Sequence, residues 1–220
     1  MGRPAWSYSS LTAYETCPHR YYLTKVAKTI KEPASEEMKD GLAVHKALEL
    51  RVKDKTPLPE KYSQYESICS RIESTPGEVQ TEKQLAINDK FEPTGWFDKD
   101  VWCRAVLDVN IVDGRSAAVL DYKTGKIKPN SHQLMLSAAF LFHVREQIEK
   151  VVTGFLWLAH GKVTKETYRK EELPSIWREF LPRVQRLENA YEKDRWEKKP
   201  SGLCKGWCPC SSCEFFEKGK

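Results

Sequence analysis

The sequence lacks any long apolar run, and none of its hydrophobic stretches approaches the roughly 20 residues that a membrane-spanning helix needs. Its start, Met1-Gly2-Arg3-Pro4-Ala5-Trp6, has neither the apolar core of a secretory signal nor a myristoylation pattern. A strong charge excess is also missing, since 36 basic and 31 acidic residues leave a net charge of +5. We therefore expect a soluble intracellular protein without a membrane partner, whose charge permits a nucleic-acid partner but does not demand one.

The seven cysteines argue against a closed disulfide framework, because their number is odd. Four of them lie between residues 204 and 213, whereas Cys17 stands almost alone near the start. Disulfides are rare in cytosolic proteins, so clustered thiols there favour a metal or redox site. Sets of four soft thiolates suit either Zn²⁺ or an iron–sulfur cluster, and spacing alone does not separate the two.

The 220 residues suffice for one sizeable domain, or for one domain with a small appendage, around a real core. Helix caps and apolar periodicity predict a short helix after Ser7, a helix from Ser35 to about Lys53, and a polar helix over residues 60–74. Met38, Leu42, Leu48 and Val52 form the expected apolar stripe of the second helix. Alternating patterns predict strands over residues 78–87, 91–97, 101–112, 151–158 and 162–169, with a further strand ending at Lys123.

Two later helices complete the predicted α/β arrangement. Pro129, Asn130 and Ser131 should start a buried helix over residues 132–149 that crosses over the sheet. Apolar residues at steps of three and four predict another helix from Leu173, which Pro182 should kink or split.

The chemistry of the chain centres on the strand segment Val119-Leu120-Asp121-Tyr122-Lys123-Thr124-Gly125. Side chains alternate along a strand, so Asp121 and Lys123 point to one face while Leu120 and Tyr122 point into packing. A carboxylate beside a lysine suits a site that binds a divalent metal and handles a phosphate. The same pair is more often a simple ion pair on a solvated strand, so other ligands have to come from elsewhere in the chain.

A second acid is brought in by the hairpin signal Asp113-Gly114. If Gly114 and Arg115 form the loop, Asp113 pairs with Ser116 and Asp108 lies directly opposite Asp121. If Asp113 and Gly114 form the loop instead, Asp108 becomes a diagonal neighbour of Asp121. Both registers put the two carboxylates on one face, where directly paired Cβ atoms about 4.5 to 5.5 Å apart allow one hard cation to bridge them.

Two further residues are candidates by position. His45 lies on the apolar side of its predicted helix, where a lone histidine is more often a satisfied core residue than a ligand. Gln133, in the first turn of the crossover helix, should lie near the end of the strand that carries Asp121. Lys123, Lys126 and Lys128 beside the site, together with Tyr21, Tyr22 and Trp207, are candidates to follow a nucleic-acid backbone and stack on bases.

Several segments together resemble the RecB-type branch of the PD-(D/E)XK nuclease superfamily, in particular its iron–sulfur members. These members include AddB-like nuclease domains, the small exonuclease of CRISPR adaptation and related phage proteins. The resemblance rests on Ser9-Ser10-Leu11 with Tyr14 and Cys17-Pro18, on Gly41-Leu42-Ala43-Val44-His45, on residues 104–108, on Asp121-Tyr122-Lys123-Thr124-Gly125, on Gln133-Leu134 and on the terminal cysteines.

The resemblance implies that His45, Asp108 and Asp121, with the backbone carbonyl of Tyr122, hold one or two Mg²⁺ or Mn²⁺ ions. Asp108, Asp121 and Lys123 are then the catalytic residues, with Lys123 positioning or activating water, because a bound metal acidifies water and neutralises charge on the phosphodiester. Gln133 and Lys126 are the expected substrate contacts. Relatives often carry Tyr four positions after this glutamine, where the present chain has Ser137.

The same resemblance implies a 4Fe-4S cluster with one ligand after the first helix and three near the C-terminus. Cys17, Cys204 and Cys213 match this pattern, and the remaining ligand is Cys208 or Cys210, with Cys208 favoured by the spacing of phage members. Structural Zn²⁺ at these cysteines is the alternative. The chain is then one nuclease domain over residues 1–220, with a PD-(D/E)XK core over 28–190 and an iron–sulfur subdomain from 1–27 and 191–220.

The implied fold is α/β, with helices flanking a mixed sheet. The implied activity is a Mg²⁺- or Mn²⁺-dependent deoxyribonuclease, an exonuclease on single-stranded DNA ends, in the cytoplasm of a bacterium or phage-infected cell. Recombination, repair, replication or phage DNA processing would provide its setting and its protein partners. The alternative is a non-catalytic DNA-binding or recombination adaptor with the same cysteine site.

Overall fold

The computed structural model describes residues 5–32, 34–128 and 131–218 of the chain. The chain divides into two compact units, which we call the sheet unit, Glu36–Trp177, and the terminal unit, formed by Met1–Ser35 and Arg178–Lys220. The core that the resemblance implies over residues 28–190 remains a prediction with somewhat different boundaries. None of the described helices is both long enough and apolar enough to cross a membrane.

The helices of four or more residues are α1 (Tyr8–Thr16), α2 (Pro18–Tyr21), α3 (Glu36–Asp54), α4 (Glu66–Glu73), α5 (His132–Val144) and α6 (Leu173–Glu192), with a π-helical turn at Tyr22–Val26 and a 3₁₀ turn at Glu60–Tyr65. Short 3₁₀ turns also occur at Leu158–His160, Lys170–Glu172 and Gly202–Cys204. The strands are β1 (Glu78–Ile87), β2 (Pro93–Thr94), β3 (Cys103–Asp113), β4 (Ser116–Lys123), β5 (Lys150–Trp157) and β6 (Lys162–Arg169).

Within the described residues, one six-stranded sheet has the order β2-β1-β3-β4-β5-β6. Helix α5 connects β4 to β5, which pair in parallel, whereas the other neighbours are antiparallel. A parallel pair requires such a crossover connection. The predicted mixed sheet with flanking helices is therefore confirmed.

The two faces of the sheet are covered by different helices. On one face Val44 and Leu48 of α3 belong to a core with Val109 of β3 and Tyr122 of β4. On the other face Leu134 of α5 packs with the side chains of two β5 residues, Phe155 and Trp157. Because neighbouring β5 side chains alternate, Leu156 joins the first core instead.

The β3–β4 hairpin adopts the first of the two predicted registers. Asp113 pairs with Ser116, so Gly114 and Arg115 form the loop, and Gly114 has a φ of +55°, which favours glycine. The last paired residues of this ladder are Val109 and Leu120. Asp108 and Asp121 follow directly at that end.

Several predicted elements differ in extent from the structure. The strand expected over residues 91–97 is wrong except for Pro93–Thr94, because the Asn88 side chain accepts the amides of Lys90 and Glu92 and closes a turn there. Helix α5 begins at His132 as predicted and ends at Val144, short of residue 149. Pro129 and Asn130, which were predicted to precede it with Ser131, lie outside the described residues.

The remaining corrections concern α3 and α6. Met38 and Leu42 are 57% and 66% exposed, so the buried stripe of α3 consists of Val44, Leu48 and Val52 instead. These three residues are four apart and share one face of the helix, which Met38 and Leu42 do not. Helix α6 continues through Pro182 as one helix, so of the two predicted alternatives, a kink or a split, the split is wrong.

The terminal unit joins the two ends of the chain. Ser7 caps α1 as predicted, and the Tyr14 hydroxyl donates to the Arg186 carbonyl at 2.9 Å. Arg183 forms a bidentate ion pair with Glu15, with both hydrogen bonds at 2.8 Å. Sequence-distant residues thus hold α1 against α6 within this unit.

Candidate active site

Asp108 is the central acceptor of the predicted site. Its Oδ2 atom accepts the backbone N–H of Tyr122 at 2.8 Å and lies 3.3 Å from Nδ1 of His45. Only 13% of the Asp108 side chain is exposed. Asp108 lies between the apolar residues Leu107 and Val109, and it is held in place by β4, the strand that carries Asp121.

His45 reaches the same point from helix α3. Its Nε2 atom lies 3.0 Å from the carbonyl oxygen of Tyr122, and its ring contacts the Tyr122 ring edge to face, with 5.6 Å between centroids. The imidazole therefore contacts both Asp108 and the Tyr122 carbonyl, two of the three other predicted metal ligands. The buried residues Val44 and Leu48 fix the turn of α3 that presents it.

Asp121 and Lys123 lie on one face of β4, as their spacing predicts. Lys123 Nζ is 2.6 Å from Asp121 Oδ2 and donates to Oε1 of Gln133 at 3.0 Å. The Gln133 amide in turn donates to Asp121 Oδ1. Gln133 thus lies at the end of β4 as expected, and it fixes the carboxylate and the lysine relative to each other.

Glu82 is a site residue that the sequence patterns did not single out. The β1–β3 ladder pairs Thr81 with Val109 and Lys83 with Leu107, and Glu82 lies between these pairs with a φ of +48°. A glutamate in this left-handed conformation is strained, and such outliers cluster at functional sites. Its carboxylate, Asp108 and His45 have ligand atoms that all lie within 4.8 Å of one another.

Two carboxyl groups of the site, those of Asp121 and Glu82, have a raised pKa. Burial, with the charge of Asp108, raises the pKa of Asp121 to about 6 despite the opposing effect of Lys123. Burial and the same Asp108 charge raise the pKa of Glu82. Burial disfavours protonated His45, but its hydrogen bond to Asp108 and the nearby carboxylates outweigh this effect and raise its pKa.

This donor set fits a divalent cation. Three carboxylates, from Glu82, Asp108 and Asp121, lie close to one another, and Lys123 forms an ion pair with one of them, Asp121. Carboxylate and carbonyl oxygens with one imidazole suit Mg²⁺ or Mn²⁺, and the imidazole shifts the preference toward Mn²⁺. His45, Glu82, Asp108, Asp121 and the Tyr122 carbonyl are the groups available to hold it.

The predicted substrate contacts fall in different environments. Lys126 and Lys128 are exposed after β4, and Trp207 is 80% exposed in the terminal unit. Tyr21 is only 4% exposed and its hydroxyl contacts that of Tyr191, so its predicted role in base stacking is wrong. Tyr22 stacks on Trp196, with 5.2 Å between ring centroids.

The cysteines at the two ends of the chain line one cavity, which we call the cysteine pocket; its thiols are those of Cys17, Cys204, Cys208, Cys210 and Cys213. Both candidates for the fourth ligand, Cys208 and Cys210, therefore lie in the pocket. Burial and the neighbouring Cys208 raise the pKa of Cys210 to about 12. The π-helical turn and Trp196 pack beside each other in the same unit, which brings the chain end toward Cys17.

Comparison with protein-family models identifies the family of this chain. The model of the PD-(D/E)XK nuclease superfamily matches residues 5–215. The chain belongs to this superfamily. No curated protein sequence matches it significantly.

Two solved structures are similar to this chain at low sequence identity. A crystal structure from Eubacterium rectale, named "Putative exonuclease", has 13% identity and a TM-score of 0.51, covering 98% of this chain and 88% of its own. The crystal structure of SSO0001 has 14% identity and a TM-score of 0.49, covering 98% and 89%.

Membership explains the arrangement on β3 and β4. PD-(D/E)XK nucleases use divalent metals, and their acids and lysine are the residue types that converge at Asp108, Asp121 and Lys123. The superfamily is one of nucleases, so DNA is the substrate class it implies. The roles of the individual side chains follow as proposals from the geometry.

Proposed function

We propose that this protein is a Mg²⁺- or Mn²⁺-dependent deoxyribonuclease of the RecB-type branch, acting as an exonuclease on single-stranded DNA ends. The observation that carries the proposal is the convergence of His45, Asp108 and the Tyr122 carbonyl beside the Asp121–Lys123 pair. These groups come from α3, β3 and β4, and no packing requirement explains why an imidazole, two carboxylates and an ammonium meet there. Burying such charges is costly unless a ligand compensates.

Each residue has a distinct role in this proposal. A divalent cation held here would supply an acidified water and neutralise charge on the scissile phosphate. His45, Asp108, Asp121 and the Tyr122 carbonyl would hold it, and Glu82 would add a further carboxylate. Lys123 Nζ, held by Asp121 and Gln133, is the ammonium that orients the attacking water and stabilises the developing phosphate charge.

Three exposed residues support a DNA strand as substrate. Lys126 and Lys128 directly follow the strand that carries the catalytic pair, where cations neutralise backbone phosphates. Trp207 offers an exposed indole of the kind that stacks on unpaired bases. Stacking of this kind requires single-stranded DNA, which favours a strand end over an intact duplex.

We further propose that the cysteine pocket holds a 4Fe-4S cluster, bound by Cys17, Cys204, Cys208 and Cys213. Five thiols from both ends of the chain line this one pocket, which supplies more than the four thiolates that such a cluster needs. Four thiolates also suit one Zn²⁺ ion, so the metal content of the purified protein decides between the two.

End-labelled single- and double-stranded DNA, incubated with Mn²⁺ or Mg²⁺ and either wild type or Asp108→Ala, tests the function. We expect shortening of single strands by wild type alone. Protein that binds the DNA but leaves it intact across a full titration of both metals would identify a non-catalytic adaptor instead. Iron and acid-labile sulfide in anaerobically purified protein test the cluster, and one stoichiometric zinc would overturn it.

A further inference from the structure

The face of the sheet that carries α3 and α4 has an open groove beyond α4. Its apolar lining includes Tyr65 just before α4, Ile68 of α4, Leu120 of β4, Val152 of β5 and Val163 of β6. The groove has a volume of about 510 Å³. Val163 is 44% exposed at its outer edge, on a strand that ends the sheet.

Gly154 of β5 lies between two of the groove's side chains, those of Leu120 and Val163. A Cβ atom there would lie 3.6 Å from both Leu120 Cδ2 and Val163 Cγ1, which places Gly154 on the same face as these two side chains. The same Cβ would be 3.2 Å from the carbonyl oxygen of Thr164. A side chain at this buried position would crowd the Thr164 carbonyl, so glycine permits the close packing of Leu120 and Val163 that line the groove.

The charges along the groove have one sign. Arg71 of α4 and Lys162 and Lys165 of β6 line it, and none of the described lining residues is acidic. An apolar floor with a polar, charged border is the usual anatomy of a protein-binding surface. A cationic border selects an occupant that carries carboxylates.

We propose that this groove docks an amphipathic helix of a partner protein, with apolar side chains toward Leu120 and Val163 and acidic residues toward Arg71, Lys162 and Lys165. A helix in a groove uses apolar anchors at steps of three and four, and the cavity is large enough for several such side chains. A second copy of this chain is a poor occupant. A two-fold contact would place the same cationic border against itself.

The groove is separate from the nuclease site. Leu120 lines the groove, whereas its neighbour Asp121 points to the other face of β4 and contacts Gln133 of α5. A helix bound in the groove therefore leaves the metal-binding side chains accessible. The partner recruits or positions the protein, and this role does not rest on the proposed nuclease activity.

The test is a displayed library of 18-residue helical peptides, with hydrophobic residues varied at steps of three and four and with Glu, Lys or Ser varied along both flanks. Selection uses the full-length protein, with counter-selection against Val163→Asp. Val163 is an exposed edge residue, so this variant should fold, and circular dichroism and thermal melting verify that it does. A Val163→Thr variant serves as the shape-matched control.

We expect selected peptides to carry Glu flanks, to bind Val163→Thr and to lose at least about tenfold in affinity with Val163→Asp. Lys165→Glu with Arg71→Glu should weaken Glu-flanked peptides and strengthen Lys-flanked versions of the same peptides. Hydrogen exchange should show protection in α4 and β6. The proposal is overturned if no peptide survives counter-selection, if flanks show no acidic preference, or if light scattering shows a dimer that Val163→Asp dissolves. It is also overturned if decanoate occupies the groove while every selected peptide fails to compete.

Discussion

Asp108 and Asp121 occupy facing positions on β3 and β4, one step beyond the last ladder pair of Val109 and Leu120. Asp108 Oδ2 accepts the amide of Tyr122, which is the residue that follows its facing acid. The two carboxylates are therefore fixed close together by backbone as well as by side-chain contacts. Their mutual repulsion is what a shared cation would relieve.

Substituting Asp108→Asn should remove both metal binding and DNA cleavage. The amide keeps the size of the side chain but loses the charge, so we expect the rate to fall by at least about 10²-fold. Calorimetric titration with Mn²⁺ and single-strand digestion measure the two effects. Asp113→Asn, at the exposed turn end of the same strand, is the control and should leave both at wild-type values.

Glu82→Gln should weaken Mn²⁺ binding by about tenfold, or roughly 1.4 kcal/mol, because one carboxylate of the cluster becomes neutral. Glu82→Gly should lose the carboxylate as well, but glycine tolerates the φ of +48°, so its thermal stability should exceed that of Glu82→Ala. Mn²⁺ titration and thermal unfolding separate the two contributions. Equal Mn²⁺ affinity of Glu82→Gln and wild type would exclude Glu82 from the metal site.

The pKa of Asp121, raised from 3.8 to about 6, predicts a pH-dependent stability in the metal-free protein. The folded state holds this proton more tightly than the unfolded state, so stability falls as pH rises from about 4 to 6. Above that range the charged form costs up to about 3 kcal/mol.

In EDTA, Asp121→Asn should therefore be more stable than wild type at pH 7.5, with a difference that shrinks toward pH 4.5. Denaturant unfolding at several pH values measures it, again with Asp113→Asn as control. Saturating Mn²⁺ should reverse the order, because only the wild-type site gains stability from the ion. A pH-independent difference would contradict the raised pKa.

Cys17→Ser should lower the iron content and the thermal stability of the protein. The cluster would join Cys17 to the last turns of the chain, so its loss releases a long loop. Cys103→Ala changes a fully buried thiol outside the cysteine pocket and should keep the iron content unchanged.

The fourth ligand can be assigned in the same way. If Cys208 is the ligand, Cys208→Ser loses the cluster absorbance while Cys210→Ser retains it. The opposite result would assign Cys210. Retention by both single variants would contradict a four-cysteine site that includes either residue.

The sequence patterns predict contacts correctly when the residues involved are close together in the sequence, and they fail when the residues are far apart. The hairpin with Gly114 places Asp108 against Asp121 because only a two-residue loop separates their strands. Glu82 escaped prediction because residues 88–102 connect β1 to β3, and a connection of that length leaves the register open. The burial of Tyr21 depends on Tyr191, far along the chain, so no local pattern could reveal it.

The turn at Gly114 and Arg115 also limits how this gene can change over generations. A substitution of Arg115 alters one exposed position, whereas inserting or deleting one codon shifts β4 by one residue against β3. Such a shift turns every side chain of β4 to the opposite face, and Asp121 would exchange places with Leu120. Length variation among descendants should therefore accumulate between β1 and β3 and be almost absent from this turn.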